Sequence, residues 1–169
     1  AQWALGNLGP AAADAAGVNA GFSYDAIFNQ QSTNSIVTLT TKGFNEAGAL
    51  MYTQWNQIDS TDAPSFMRDF ITDEPDPRKP VWFDGEIATD NETPHRSQYK
   101  YNGETDDVPL VHYDGAQLII AENEGFAGGG TARLNALRTA AGMTTMLPAV
   151  TTQAEFDAQL MNERWAEHF

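Results

Sequence analysis

The chain has 169 residues, 41% of them apolar, which is enough for one domain with its own hydrophobic core. Its 9 basic and 23 acidic residues give a formal charge of -14, which repels a nucleic-acid backbone or an anionic membrane surface and favours neutral or cationic partners. No cysteine is present, so disulfides, thiolate metal sites and a cysteine nucleophile are excluded.

No run approaches the roughly 18 apolar residues of a membrane-spanning helix, and the start at Ala1 carries no leader pattern. A soluble mature form or a fragment is expected. Residues 3–16 alternate small apolar residues with Gly6, Gly9 and Pro10, so a helix is expected only over 11–16. Between Phe22 and Thr41 the pattern becomes β-branched, and "SIVTLTT" suits a short strand. Leu50, Met51, Gln54 and Ile58 have helical spacing within 44–58.

Residues 59–107 hold 13 acidic and 5 basic side chains. Pro64, Pro75, Pro77, Pro80 and Pro94 forbid long helices there, and irregular loops around short extended pieces such as "PVWFDG" are expected. Regularity returns at Pro109. A helix over 110–125, the turn "AGGG", a helix over 131–141 capped by Thr131, and a proline-containing loop at 143–151 follow in order. A last helix opens at "TTQAEF", where Thr152 and Glu155 have capping-box spacing.

Several chemistries find little support. "AGGGT" precedes a helix but lacks the Gly-Lys-Ser/Thr of a phosphate loop. His95, His112 and His168 are the three histidines, and none has an i, i+4 partner for a helical zinc site, so metal binding by histidine is not expected. Asp59 with Asp62, Asp73 with Glu74 and Asp76, and Glu104 with Asp106 and Asp107 could offer oxygen ligands to calcium. None follows the twelve-residue calcium loop, and solvated acidic loops are the simpler reading. No cofactor is expected, calcium being the one ion these loops could take.

Catalytic patterns are equally thin. Glu163 and Glu167 share a helix face, where carboxylates commonly meet solvent or arginines, and no G-x-S-x-G elbow occurs. The aromatics say more. Tyr52, Trp55, Trp82, Tyr99 and Tyr101 lie in or beside polar, loop-rich stretches, where a ring face can take the C–H face of a sugar while amides and carboxylates bond its hydroxyls. The alternative is that each ring anchors a long loop to the core. Glu122 raises its own question, because it follows the apolar run Leu118, Ile119, Ile120, Ala121 and must be catalytic, metal-binding or structurally paired.

Three ordered motifs then carry a likeness: Ala121-Glu122 on an apolar helix, L-N-x-x-R-x-x-A-G at Leu134, Asn135, Arg138, Ala141 and Gly142, and N-E-R-x-x-E at Asn162, Glu163, Arg164 and Glu167. This run resembles the C-terminal part of the SusD/RagB family of outer-membrane nutrient-binding lipoproteins. "GVNAGFSYDAIFNQQS", "DPRKP" and "HRSQYKY" resemble that family's earlier segments. Asn19 stands where the family has proline, and its F-E-G-x-R continuation, N-terminal helices and lipid-bearing cysteine are missing, as expected of a partial chain.

The resemblance implies a mainly α-helical, tetratricopeptide-related scaffold with long irregular loops and little β structure. It implies one domain over 1–169, with a loop-rich acidic part at 1–107 and a helical group at 108–169. The implied function is non-enzymatic capture of an oligosaccharide or peptide at the bacterial cell surface for a SusC-like TonB-dependent transporter, with membrane attachment only through a lipid anchor. A glycan hydrolase using loop carboxylates and a scaffold for a protein partner are the alternatives. Glu122, Arg138, Glu163, Arg164 and Glu167 map to the helical framework, with Glu122 paired to Arg138 or Arg164, and no nucleic-acid partner is expected.

Overall fold

The computed structural model describes residues 2–33, 65–87, 91, 94–101 and 103–168. The expected strand at 35–41 and helix at 44–58 lie outside them. A 3-10 turn, Trp3–Leu5, leads into α1, Leu8–Ala16, and then β1, Ser23–Ala26. After β2, Ser65–Arg68, come β3, Pro75–Ile87, β4, Pro94–Gln98, and β5, Val108–His112. Three helices close the chain: α2, Tyr113–Glu124, α3, Gly130–Ala140, and α4, Gln153–His168.

The expectation of a mainly helical, SusD-like scaffold is overturned. The described residues form a mixed α/β structure with two small sheets, β1 with β5 and β2-β3-β4. The chain divides into two compact units: residues 1–24, 69–74 and 109–169, and residues 25–68 and 75–108.

In the second unit β3 is the central strand of an antiparallel sheet; it contains the expected extended piece "PVWFDG" and also runs through Pro75 and Pro77, where loops were expected. Pro75 and Pro94 each begin a strand, a position that needs no ladder donor. Phe66 faces Pro80 while Arg68 faces Pro75, so residues 76–79 bulge out of the β2 ladder and Pro77 falls within the bulge. Asp76 is fully buried there and accepts the Arg78 backbone N–H and guanidinium, with the Lys79 ammonium at 3.5 Å. Lys79, also buried, donates to the Arg68 carbonyl. The bulge is thus filled by paired charges.

In the first unit, α1 packs on α2, and α2 packs on α3 and α4. Its core is Leu118, Ala121, Leu134, Leu137, Leu147, Phe156 and Leu160. α1 begins three residues before the expected stretch. Pro10 falls in the first turn, where a missing N–H breaks no intrahelical bond, and Ala11, Ala12 and Ala15 form the buried face.

α2 starts later than expected because Pro109 holds Val108 extended and Val111 favours a strand. α3 starts at Gly130 after Gly129, whose φ of 103° suits glycine. Thr131 is therefore inside the helix and not its cap; its hydroxyl donates to Gln159 on α4 at 3.0 Å. A Cβ on Gly130 would sit 2.5 Å from the Phe156 ring, so the glycine allows α3 and α4 to approach. The expected capping box of α4 is present: Glu155 N–H donates to Thr152 Oγ1 and Glu155 accepts from the Thr151 and Thr152 N–H groups. These bonds, the Thr151 N–H first, hold the Glu155 carboxyl below its ordinary range.

Candidate functional site

Three constellations in the first unit carry polar chemistry, and the first is closed to solvent. Arg138, on α3, is fully buried and binds Glu163 at 2.7 Å and Asp69 at 3.0 Å through Nη1, with Thr72 Oγ1 and the Thr145 carbonyl on Nη2. Asn162 Nδ2 donates to Asp69 at 2.6 Å. Burial pushes the Asp69 carboxyl upward, but the bonds from Asn162 and the Thr72 N–H and the Arg138 charge outweigh it and hold it well below its ordinary range.

The segment 69–74 is tied down again by Glu74, which accepts from both N–H groups and a hydroxyl of Thr144 and Thr145, and by Phe70 against Trp165 at 5.4 Å. The Thr144 N–H leads the bonds that lower Glu74 to about 2. Asn135 accepts the Leu147 N–H at 2.8 Å. The residues of the last two motifs therefore organise loops around a buried ion cluster. Such a site has no access for a ligand.

The second constellation is open. A groove of about 470 Å³ is bounded by the Trp3 turn, α1, the end of β5, α2 and the last turns of α4. Ala11, Ala15, Ala116 and Leu118 make an apolar floor, and Asp14, His112, Arg164 and His168 bring polar groups to it. Small side chains on α1 leave this room. Trp3 is exposed, yet its indole N–H donates to Glu122 and the Arg164 guanidinium lies 4.8 Å from its ring centre. Arg164 also binds Glu122 at 2.6 Å. Glu122 is thus a partnered carboxylate, and it fixes the orientation of an exposed aromatic ring.

The remaining expected residues divide. Tyr52 and Trp55 lie outside the described residues, and the Trp82 backbone pairs with Ser97 across β3 and β4. Tyr99 and Tyr101 are half-buried in the second unit, where burial first and the charge of Asp25 second push the Tyr101 hydroxyl upward. Among the acidic groups, Asp76 and Glu74 bind protein donors as above, while Asp106 accepts the Gly103 N–H and Asp107 the Phe28 N–H. Sequence reasoning missed Trp3. Its only signal was an isolated tryptophan in a run of small residues.

A third set of groups meets beside the groove. One ligand atom from each of His112, Asp114 and Glu167 lies within 4.8 Å of the others. Spacing along the chain could not reveal it, because the ligands come from the β5–α2 junction and the end of α4. A further hollow of about 500 Å³ next to α3 is crossed by Arg133, which binds Glu124 and Gln117.

No protein-family model, curated protein or solved structure matches the chain.

Proposed function

We propose that the chain is a non-enzymatic capture protein that takes a neutral oligosaccharide into the Trp3 groove. In this reading it passes the sugar to a TonB-dependent transporter at the bacterial outer membrane, where a lipid anchor holds it. The observation that carries the proposal is the groove itself. An exposed indole is fixed by Glu122 and Arg164 at the edge of an apolar floor, with imidazole and carboxylate groups in reach.

A sugar buries its C–H face on such a ring and bonds its hydroxyls at the rim. The formal charge of -14 favours a neutral ligand over an acidic one. The likeness of the C-terminal motifs to SusD/RagB sequences supports the transport role; the fold does not. The test is calorimetric titration of the chain with neutral and acidic oligosaccharides and with peptides. Binding of a neutral sugar that weakens about tenfold or more in Trp3→Ala is expected, since a stacked aromatic anchor is worth more than 1 kcal/mol. Binding that survives Trp3→Ala and is lost in Trp55→Ala or Trp82→Ala would move the site to those tryptophans. Absence of binding by every sugar would end the proposal.

A further inference from the structure

We propose that His112, Asp114 and Glu167 form a binding site for a divalent transition metal, zinc above all, a property that stands whether or not the groove takes a sugar. Their ligand atoms lie within 4.8 Å of one another and each side chain is part-exposed, so an ion can reach them. Bonds of about 2.0–2.2 Å in a tetrahedral zinc site place ligand atoms about 3.3–3.6 Å apart, so the separations of up to 4.8 Å need to close by no more than about 1.5 Å on binding.

The donor set selects the metal. One imidazole with two carboxylates suits zinc, nickel or copper better than calcium or magnesium, which favour all-oxygen shells. Two carboxylates brought this close repel each other, and a cation between them reverses that repulsion. Three protein ligands leave one tetrahedral position open, as in zinc sites that bind an exogenous group.

A second imidazole comes to the same place. The His168 ring centre is 5.5 Å from that of His112, and both rings approach Gly115, whose absent Cβ would lie 3.6 Å from His168 Cε1 and 3.8 Å from His112 Nε2. The two histidines thus meet over the first turn of α2, at ordinary contact distance from that position. Both line the groove. Bound metal would link the last turn of α4 to the β5–α2 junction, so it would also brace the groove wall.

The experiment is titration of the metal-free chain with zinc chloride alone, followed by calorimetry and by the histidine ring resonances. One zinc per chain with micromolar affinity is expected, with saturable shifts of the His112 and His168 rings and none of His95. His112→Asn and Glu167→Gln should each weaken zinc binding by about tenfold or more, as even outer partners of metal ligands do. The thermal midpoint of the wild-type chain should rise with zinc concentration and not with the same concentration of calcium chloride. The ring resonances need no variant, so a substitution that fails to fold leaves the test intact. No saturable zinc uptake, shifts confined to His95, or unchanged affinity in both folded variants would overturn the site and leave a cluster of ion pairs.

Discussion

Arg138 shows how a charged side chain can be read as framework. Its guanidinium is fully buried between Asp69 and Glu163, and its remaining donors meet Thr72 and the Thr145 carbonyl. Arg138→Met leaves two buried carboxylates without their cation and should lower stability by about 3–5 kcal/mol in urea unfolding. Arg138→Lys should recover little of it, because one ammonium cannot reproduce the planar fork.

Glu122 is a different case. Its pair with Arg164 is partly exposed, so Glu122→Gln should lower stability by only about 1 kcal/mol, less than a fully buried charge pair would suggest. The glutamine keeps an acceptor for the Trp3 indole, so sugar affinity should change less than in Trp3→Ala. A larger loss of affinity than of stability would put Glu122 in contact with the ligand.

Among the elements, the helices after Pro109 were legible, while of the three-stranded sheet only the extended piece "PVWFDG" within β3 was. The apolar spacing in 113–124, the glycine punctuation before α3 and the Thr152–Glu155 box before α4 are local signals, each decided by residues within a turn of one another. β3 depends on pairing partners on both sides and on a bulge that absorbs Pro77, and neither can be read from its own residues. Gly130 ties two elements together. Gly130→Ala should drive a methyl into the Phe156 ring and the Ala121 carbonyl and lower stability by about 3 kcal/mol by thermal or urea unfolding.

The docking of segment 69–74 should show in acid. Glu74 is lowered from 4.5 to about 2 and Asp69 is lowered as well, so each contributes stability above its ordinary value that is lost as pH falls through its depressed folded value. Urea midpoints should therefore decline between pH 4.5 and pH 2, and the decline should be shallower in Glu74→Gln. An equal slope in both proteins would mean that Glu74 does not couple the segment to the Thr144–Thr145 backbone.

Across the whole chain, the motifs led to the wrong architecture. Leu134, Asn135, Arg138, Asn162 and Glu163 do organise the first unit, but a motif that packs three helices says nothing about the strands before it. The groove was hidden for a related reason: Trp3, Glu122 and Arg164 are far apart in sequence and meet only when the Trp3–Leu5 turn, α2 and α4 are assembled. The central claim, that this groove takes a neutral sugar, places the ligand on one of the chain's four tryptophans. The direct measurement follows the indole N–H signals of the 15N-labelled chain during titration with neutral oligosaccharides of glucose, mannose or xylose. The Trp3 signal should shift saturably while that of Trp165 stays in place; a Trp3 signal that stays fixed while Trp55 or Trp82 moves, or four signals indifferent to every sugar, would contradict the claim.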